Sequence, residues 1–110
     1  MSEASVVSIT IRHDHPSLAG HFPGNPVIPG VVILEEVFEA IRQIEPVKIA
    51  LLGLPSVKFH SPLRPKEEMT ICLEPYQPQG RGFFCQSGNR LIASGRFRYE
   101  RAEEPTGSEE

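Results

Sequence analysis

The stretch GHFPGNPVIPGVVILEE, Gly20 to Glu36, changes character half-way along. Pro23, Pro26 and Pro29 recur every third residue, each fixing its own φ and biasing its predecessor towards extended backbone. Gly20, Gly24 and Gly30 permit positive φ or close backbone approach. From Val31 the pattern turns helical: Val31, Leu34, Phe38 and Ile41 follow three- and four-residue spacing, with Val37 and Ile44 beside them. Glu35, Glu39, Arg42 and Gln43 gather on the opposite side. Pro46 ends the pattern, since it cannot continue a helix and disfavours helical backbone in its predecessor. The stretch predicts a stiff loop leading into one helix of about four turns.

Everything else reads as β. SVVSITIR, Ser5 to Arg12, alternates and is β-branched, with Val6, Ser8 and Thr10 on one side and Val7, Ile9 and Ile11 on the other. HDHPSLAG, which follows, is a polar turn. VKIALLGLPSVKFH, Val47 to His60, is a long strand interrupted at Gly53 and Pro55, which predicts a bend or bulge. SPLRPKEE is a turn. MTICLEPY (Met69 to Tyr76), GFFCQSG (Gly82 to Gly88) and RLIASGRFRYE (Arg90 to Glu100) are strands joined by QPQGR and a short SGN turn, both hairpin-like. One strand, a helix, then about four strands predicts an α+β fold: a five-stranded antiparallel sheet curled around a single helix.

The chain has 110 residues, enough for one domain and one core. We expect that domain to occupy residues 1–100, with 101–110, an acidic and unpatterned tail, disordered. Apolar residues make up 39% and charged residues 23%, ordinary for a globular protein. No apolar run is long enough to span a bilayer, and MSEASVVSITIR lacks the basic and apolar regions of a secretory signal. Cytoplasm is the expected location. A net charge of -3 argues against a nucleic-acid binder. The acidic residues concentrate around Glu35 and in the tail, leaving a near-neutral body that an acidic partner can still approach. Cys72 and Cys85 are expected to be packed, reduced core thiols, since cytosolic disulfides are rare. There is no internal repeat.

Two readings of the proline loop stand side by side. As plain structure it is a rigid connector. As chemistry, it places the free amides of a helix N-terminus, at the positive end of the helix dipole, directly after a stiff turn. Gly30 has no side chain to hold a ligand away, and His21, at the start of the loop, is a candidate base. Glu35 projects near the same helix end and is a candidate acid. Oxyanion donor, base and acid together suit chemistry beside a thioester carbonyl, removing an α-proton and expelling a β-hydroxyl. On the helical wheel, however, Glu35 lies with Glu39 and Arg42 on the face away from the apolar stripe. It is either a solvated glutamate favoured by the helix dipole or, if a second subunit covers that face, a catalytic one.

HFPGNPVIPGV, His21 to Val31, resembles the H-F-x-G-x-P-x-x-P-G signature of the 3-hydroxyacyl-(acyl carrier protein) dehydratases, the FabA/FabZ type with the hotdog fold. VKFHSPLRPKEEM, Val57 to Met69, is similar to the same family's K-F-x-x-P-x-x-P-G-D turn, with Lys66 where the turn glycine is expected. The likeness covers Ile9 to Tyr99. It implies that His21 is the base at the α-carbon and that Glu35, fourteen residues on, is the acid at the β-hydroxyl. It implies further that the Gly30 amide holds the thioester carbonyl and that the Val27 carbonyl orients the imidazole. Val31, Phe22, Phe38 and Phe59 complete the implied substrate site.

The same resemblance implies a dimer in which the histidine and carboxylate of one site come from different subunits. The implied product is a trans-2-enoyl thioester, formed without metal or organic cofactor in fatty-acid or specialised acyl or aryl-polyene synthesis. A glutamate at this position resembles the type that dehydrates without isomerising. The chain departs from the family at Phe38 and Glu39, bulkier and more charged than the usual helix. Its trimmed N-terminus resembles the small ApeI-like thioester dehydratases. The implied partner is an acyl carrier protein bearing a phosphopantetheine-linked acyl group, with a homodimer, or a heterodimer with another dehydratase, as the assembly.

Other constellations are weaker. His13 and His15 form an H-x-H pair which, even with His21 and His60, lacks metal-ligand spacing, so no metal is expected. Ser61 and Ser87 have no nucleophile-elbow context, and neither cysteine has a histidine nearby in sequence. Arg64, Lys66, Arg96 and Arg98 are either solvated charges or an electropositive rim for an acidic carrier; Arg96 and Arg98 share one strand face. The rival functions are a hotdog acyl-thioesterase and a non-catalytic acyl-binding or partner subunit.

Overall fold

The computed structural model describes residues 4–10 and 27–102. Its elements are β1 (Ser5–Thr10), α1 (Gly30–Ile44), β2 (Ile49–Phe59), β3 (Glu68–Leu73), β4 (Gly80–Ser87) and β5 (Arg90–Arg101). The strands form one sheet in the order β1-β3-β4-β5-β2, and every neighbouring pair is antiparallel. The expected single helix and long interrupted strand are both present. Register shifts between Leu51 and Gly53 and between Gly53 and Ser56 mark the irregularity predicted there. β5 runs to Arg101, and the Ala102 amide donates to the Lys48 carbonyl; the rest of the expected acidic tail lies outside the described residues.

Helix α1 begins at Gly30 after Pro29, whose backbone is extended, and ends at Ile44. Glu45 is extended, φ -83 and ψ 131, as the residue before Pro46 should be. Burial shifts the apolar stripe from the expected one. Val32, Ile33, Val37, Ala40 and Ile41 are buried against the sheet, whereas Leu34, Phe38 and Ile44 are only partly covered. Val31 is 61% exposed and lies on the Glu35–Glu39–Arg42 side. The correction has a simple cause: periodicity finds a stripe, but the centre of that stripe is set by where the sheet lies.

Beneath the helix pack Met69, Ile71 and Leu73 of β3, Phe83 and Cys85 of β4, and Ala93, Phe97 and Tyr99 of β5. Phe97 stacks between Phe38 and Phe83, with ring centroids 5.7 and 5.4 Å away. Cys85 is a core thiol, pushed up to about 12 by burial and, to a lesser extent, by Cys72. Cys72 differs from expectation. It lies opposite Phe84 while Cys85 lies opposite Ile71, so the two sulfurs belong to opposite faces of the sheet. Cys72 is half-buried on the face away from the helix, and both cysteines are free.

Lys66, in the glycine position of the β2–β3 turn, adopts φ 74. A lysine pays a left-handed penalty there that glycine avoids. Lys66→Gly is expected to stabilise the chain by about 0.5–1 kcal/mol, read from the urea midpoint; a loss of stability would show that the turn tolerates the side chain without strain.

Candidate active site

The end of the proline loop, the start of α1 and the end of β2 enclose a cavity of about 360 Å³. Val27, Ile28, Gly30 and Ile33 line one side, and Phe59 to Leu63 the other. The loop is pinned where the Ile28 amide donates to the Leu63 carbonyl at 2.7 Å. Pro29's carbonyl accepts the Val32 amide at 3.0 Å and the Ile33 amide at 3.4 Å, which turns the chain into the helix and leaves the Gly30 and Val31 amides without intrahelical acceptors. A β-carbon on Gly30 would stand 2.6 Å from Cζ of Phe59. Any larger residue there would have to push the Phe59 ring aside, since the tip of that ring lies directly on the helix start. That ring is 52% exposed, so it forms a wall rather than part of the core.

Gly30, Val27 and Phe59 therefore line one cavity. Val31 is on the helix face turned outward, beside Glu35, which is exposed. Phe38 stands two turns further on and lines a separate groove with Arg42, Pro46, Val47, Lys48 and Ile49. His21 and Phe22 lie outside the described residues, as do His13 and His15. His60 has Nε2 3.0 Å from Oγ of Ser94.

The four cations do not form one cluster. Arg64 and Lys66 are exposed on the turn after β2. Arg96 is level with Ser56, and Arg98 with Gly53, further along β5 from Ala93, the partner of Phe59. Arg98 also donates to Oε1 of Gln79 at 3.0 Å.

The opposite end of the helix carries a polar cluster that the sequence reading missed. Glu45 is buried and accepts from Tyr99 Oη at 2.5 Å, Arg81 Nη2 at 3.1 Å and Arg101 Nε at 2.7 Å. Arg81, 3% exposed, also donates to Tyr99 Oη at 2.9 Å and to the Glu74 carbonyl at 2.8 Å. The Arg101 guanidinium lies 4.1 Å from the centroid of the Tyr76 ring. One signal was available: Glu45 continues the Ile33, Val37, Ile41 series at four-residue spacing, so it falls on the buried stripe.

Burial pushes the Glu45 carboxyl up, but bonds from Tyr99, Arg101 and Arg81 and the charge of Arg101 outweigh it and hold the group below its ordinary value. Burial, with the bond to Glu45, pushes Tyr99 up to about 12. The signs differ in consequence. A lowered carboxylate stabilises the fold above its unfolded value of 4.5 and loses that contribution as pH falls through the folded value. A raised phenol stabilises the fold below 10 and loses that contribution as pH climbs towards about 12. Stability measured by urea unfolding is expected to be flat from about pH 5 to 8 and to fall on both sides, the alkaline limb drawing on the buried Cys85 thiol, raised from 9 to about 12, as well as on Tyr99. An acid limb unchanged in Glu45→Gln would remove Glu45 as its source.

Residues 1–96 match the ApeI-like family, described as ApeI dehydratase. The chain belongs to the ApeI-like dehydratase family. It is 33% identical over 107 residues to the 3-hydroxyacyl-acyl-carrier-protein dehydratase FabZ of Chlamydia trachomatis, covering 86% of this chain and 70% of that one. The fold is the hotdog. The dehydratase heterocomplex ApeI:P of Xenorhabdus doucetiae superposes with a TM-score of 0.81 at 17% identity, over 92% of this chain and 90% of its own. The R-hydratase PhaJ1 of Pseudomonas aeruginosa superposes at 0.71 and 13% identity, over 94% and 83%. No helix among the described residues is long and apolar enough to cross a membrane.

Proposed function

We propose that this chain is a hydro-lyase of the cytoplasm that converts a 3-hydroxyacyl thioester, borne on an acyl carrier protein, into a trans-2-enoyl thioester and water. The observation that carries this reading is the opening of the α1 N-terminus onto the cavity walled by Phe59. A thioester carbonyl seated there accepts the Gly30 amide and the positive end of the helix dipole, which stabilises the enolate-like charge of proton removal. His21 takes the α-proton, the Cα–Cβ double bond forms, and the Cβ–O bond breaks. Glu35 gives the departing hydroxyl its proton, so water leaves and no redox partner is needed. Val27 orients the imidazole through its carbonyl.

Glu35 is exposed in the single chain, so this chemistry needs a second subunit over that face. Edge strand β2 supports one: Leu51, Leu52 and Leu54 are 50%, 46% and 36% exposed along an edge with no further strand among the described residues. The shared site requires that two such edges, once paired, bring the helix faces bearing Val31 and Glu35 together. The partner is a second copy or, as the name ApeI:P suggests by analogy, a related dehydratase subunit.

Enoyl-thioester absorbance, followed with carrier- and coenzyme A-linked 3-hydroxyacyl substrates, tests the reaction. Turnover by the chain alone or with such a partner supports it. Release of free thiol without enoyl product would mark a thioesterase, and no turnover in either mixture would favour a non-catalytic subunit. Sedimentation tests the assembly, and a strict monomer without partner would remove the shared site.

A further inference from the structure

The turn between β2 and β3 holds no reacting group, yet it supports the segment that does. Leu63, fully buried, offers its carbonyl to the Ile28 amide at 2.7 Å, and Ile28 is two residues from Gly30. Leu63 is itself bracketed. On one side Arg90 Nη2, from the first residue of β5, donates to the Pro62 carbonyl at 3.1 Å. On the other, Oε1 of Glu67 accepts the Arg64 amide at 2.9 Å and the same Arg90 Nη2 at 2.9 Å. The Glu67 amide closes the turn onto the Arg64 carbonyl at 3.2 Å. One guanidinium thus ties both flanks of Leu63 to the β4–β5 hairpin.

We propose that Glu67 and Arg90 are positioning residues that set the Leu63 carbonyl, and through Ile28 the height of the Gly30 amide against Phe59. The proposal rests on the dehydratase reading for its effect on rate. Glu67 and Arg90 are 32% and 39% exposed, so as an ion pair they add little to global stability. Their consequence is geometric: an ångström of misplacement at an oxyanion donor can cost up to about 100-fold in rate. The bond from the Arg64 amide, together with the bond and charge of Arg90, outweighs burial and holds the Glu67 carboxyl below its ordinary value, in keeping with a carboxylate engaged on two sides.

Amide hydrogen exchange and steady-state kinetics test this together. In Glu67→Ala, Ile28 exchange is expected to quicken by about tenfold or more while Val37 and Ile41 keep their protection. The kcat is expected to fall about tenfold with KM within about twofold. Glu67→Gln keeps an acceptor oxygen and is expected to stay within about threefold of wild type. The Glu67→Ala/Arg90→Ala double variant should be no slower than either single, because the two act as a unit. Unchanged Ile28 exchange in Glu67→Ala, or quickened exchange with unchanged kcat, overturns the proposal. So does equal damage by Gln and Ala confined to KM, which would assign the charge to carrier contact. If wild type shows no turnover the dehydratase reading fails, and Ile28 exchange alone then decides whether Glu67 holds the loop.

Discussion

His21→Ala is expected to reduce kcat/KM for 3-hydroxyacyl thioester dehydration by about 10²–10⁴-fold, with the folded state unchanged. An α-proton next to a thioester leaves only when a base stands over it and the developing charge on oxygen is met by a donor. In the proposed mechanism the Gly30 amide meets the second requirement and His21 the first. Equal activity of His21→Ala and wild type would show that the base is another group. Glu35→Gln is expected to lose about as much, since an amide cannot protonate the leaving hydroxyl.

The two variants together test the assembly. If one site draws His21 from one subunit and Glu35 from the other, each mixed dimer regains one intact site. Random mixing of the two inactive variants should then recover roughly a quarter of wild-type activity. A mixture as inactive as its components would place both residues in one subunit.

Glu45→Ala is expected to destabilise the chain by about 3–5 kcal/mol, seen as a lower urea midpoint at unchanged slope. Truncating the carboxylate removes the buried ion pair that Glu45 makes with Arg81, 3% exposed, and deprives Tyr99 of its acceptor. That loss is a large share of the stability of an ordinary domain. Replacing the pair together, as Glu45→Leu with Arg81→Met, should cost less than Glu45→Ala alone, because it removes both charges rather than one. A change under about 0.5 kcal/mol in Glu45→Ala would mean that water or backbone movement satisfies Arg81 without it.

Most of the strand and helix boundaries were legible because their causes are local. Pro29 and Pro46 bracket α1, alternation marks β5, and Gly53 with Pro55 marks the irregularity of β2. Lys66 was legible too, since it occupies a turn position whose φ suits glycine. Of the site, Gly30, Val27 and Phe59 were found from motif likeness, and the structure brings them to one cavity. Phe38 was grouped with them by the same likeness, and it lines another groove, two turns further along the helix.

Sequence alone determined the helix and the prolines that bracket it, since proline, glycine and periodic spacing act over a few neighbours, and it put forward His21 and Glu35 as the candidates for proton transfer. Only the tertiary structure decided which meridian of the helix meets the sheet, and that Val31 and Glu35 remain outside it. It also decided the cluster around Glu45, whose partners Arg81, Tyr99 and Arg101 lie 36, 54 and 56 residues away in the chain. Nothing in a local window specifies those contacts, because they exist only once β4 and β5 are paired and laid beneath the end of the helix.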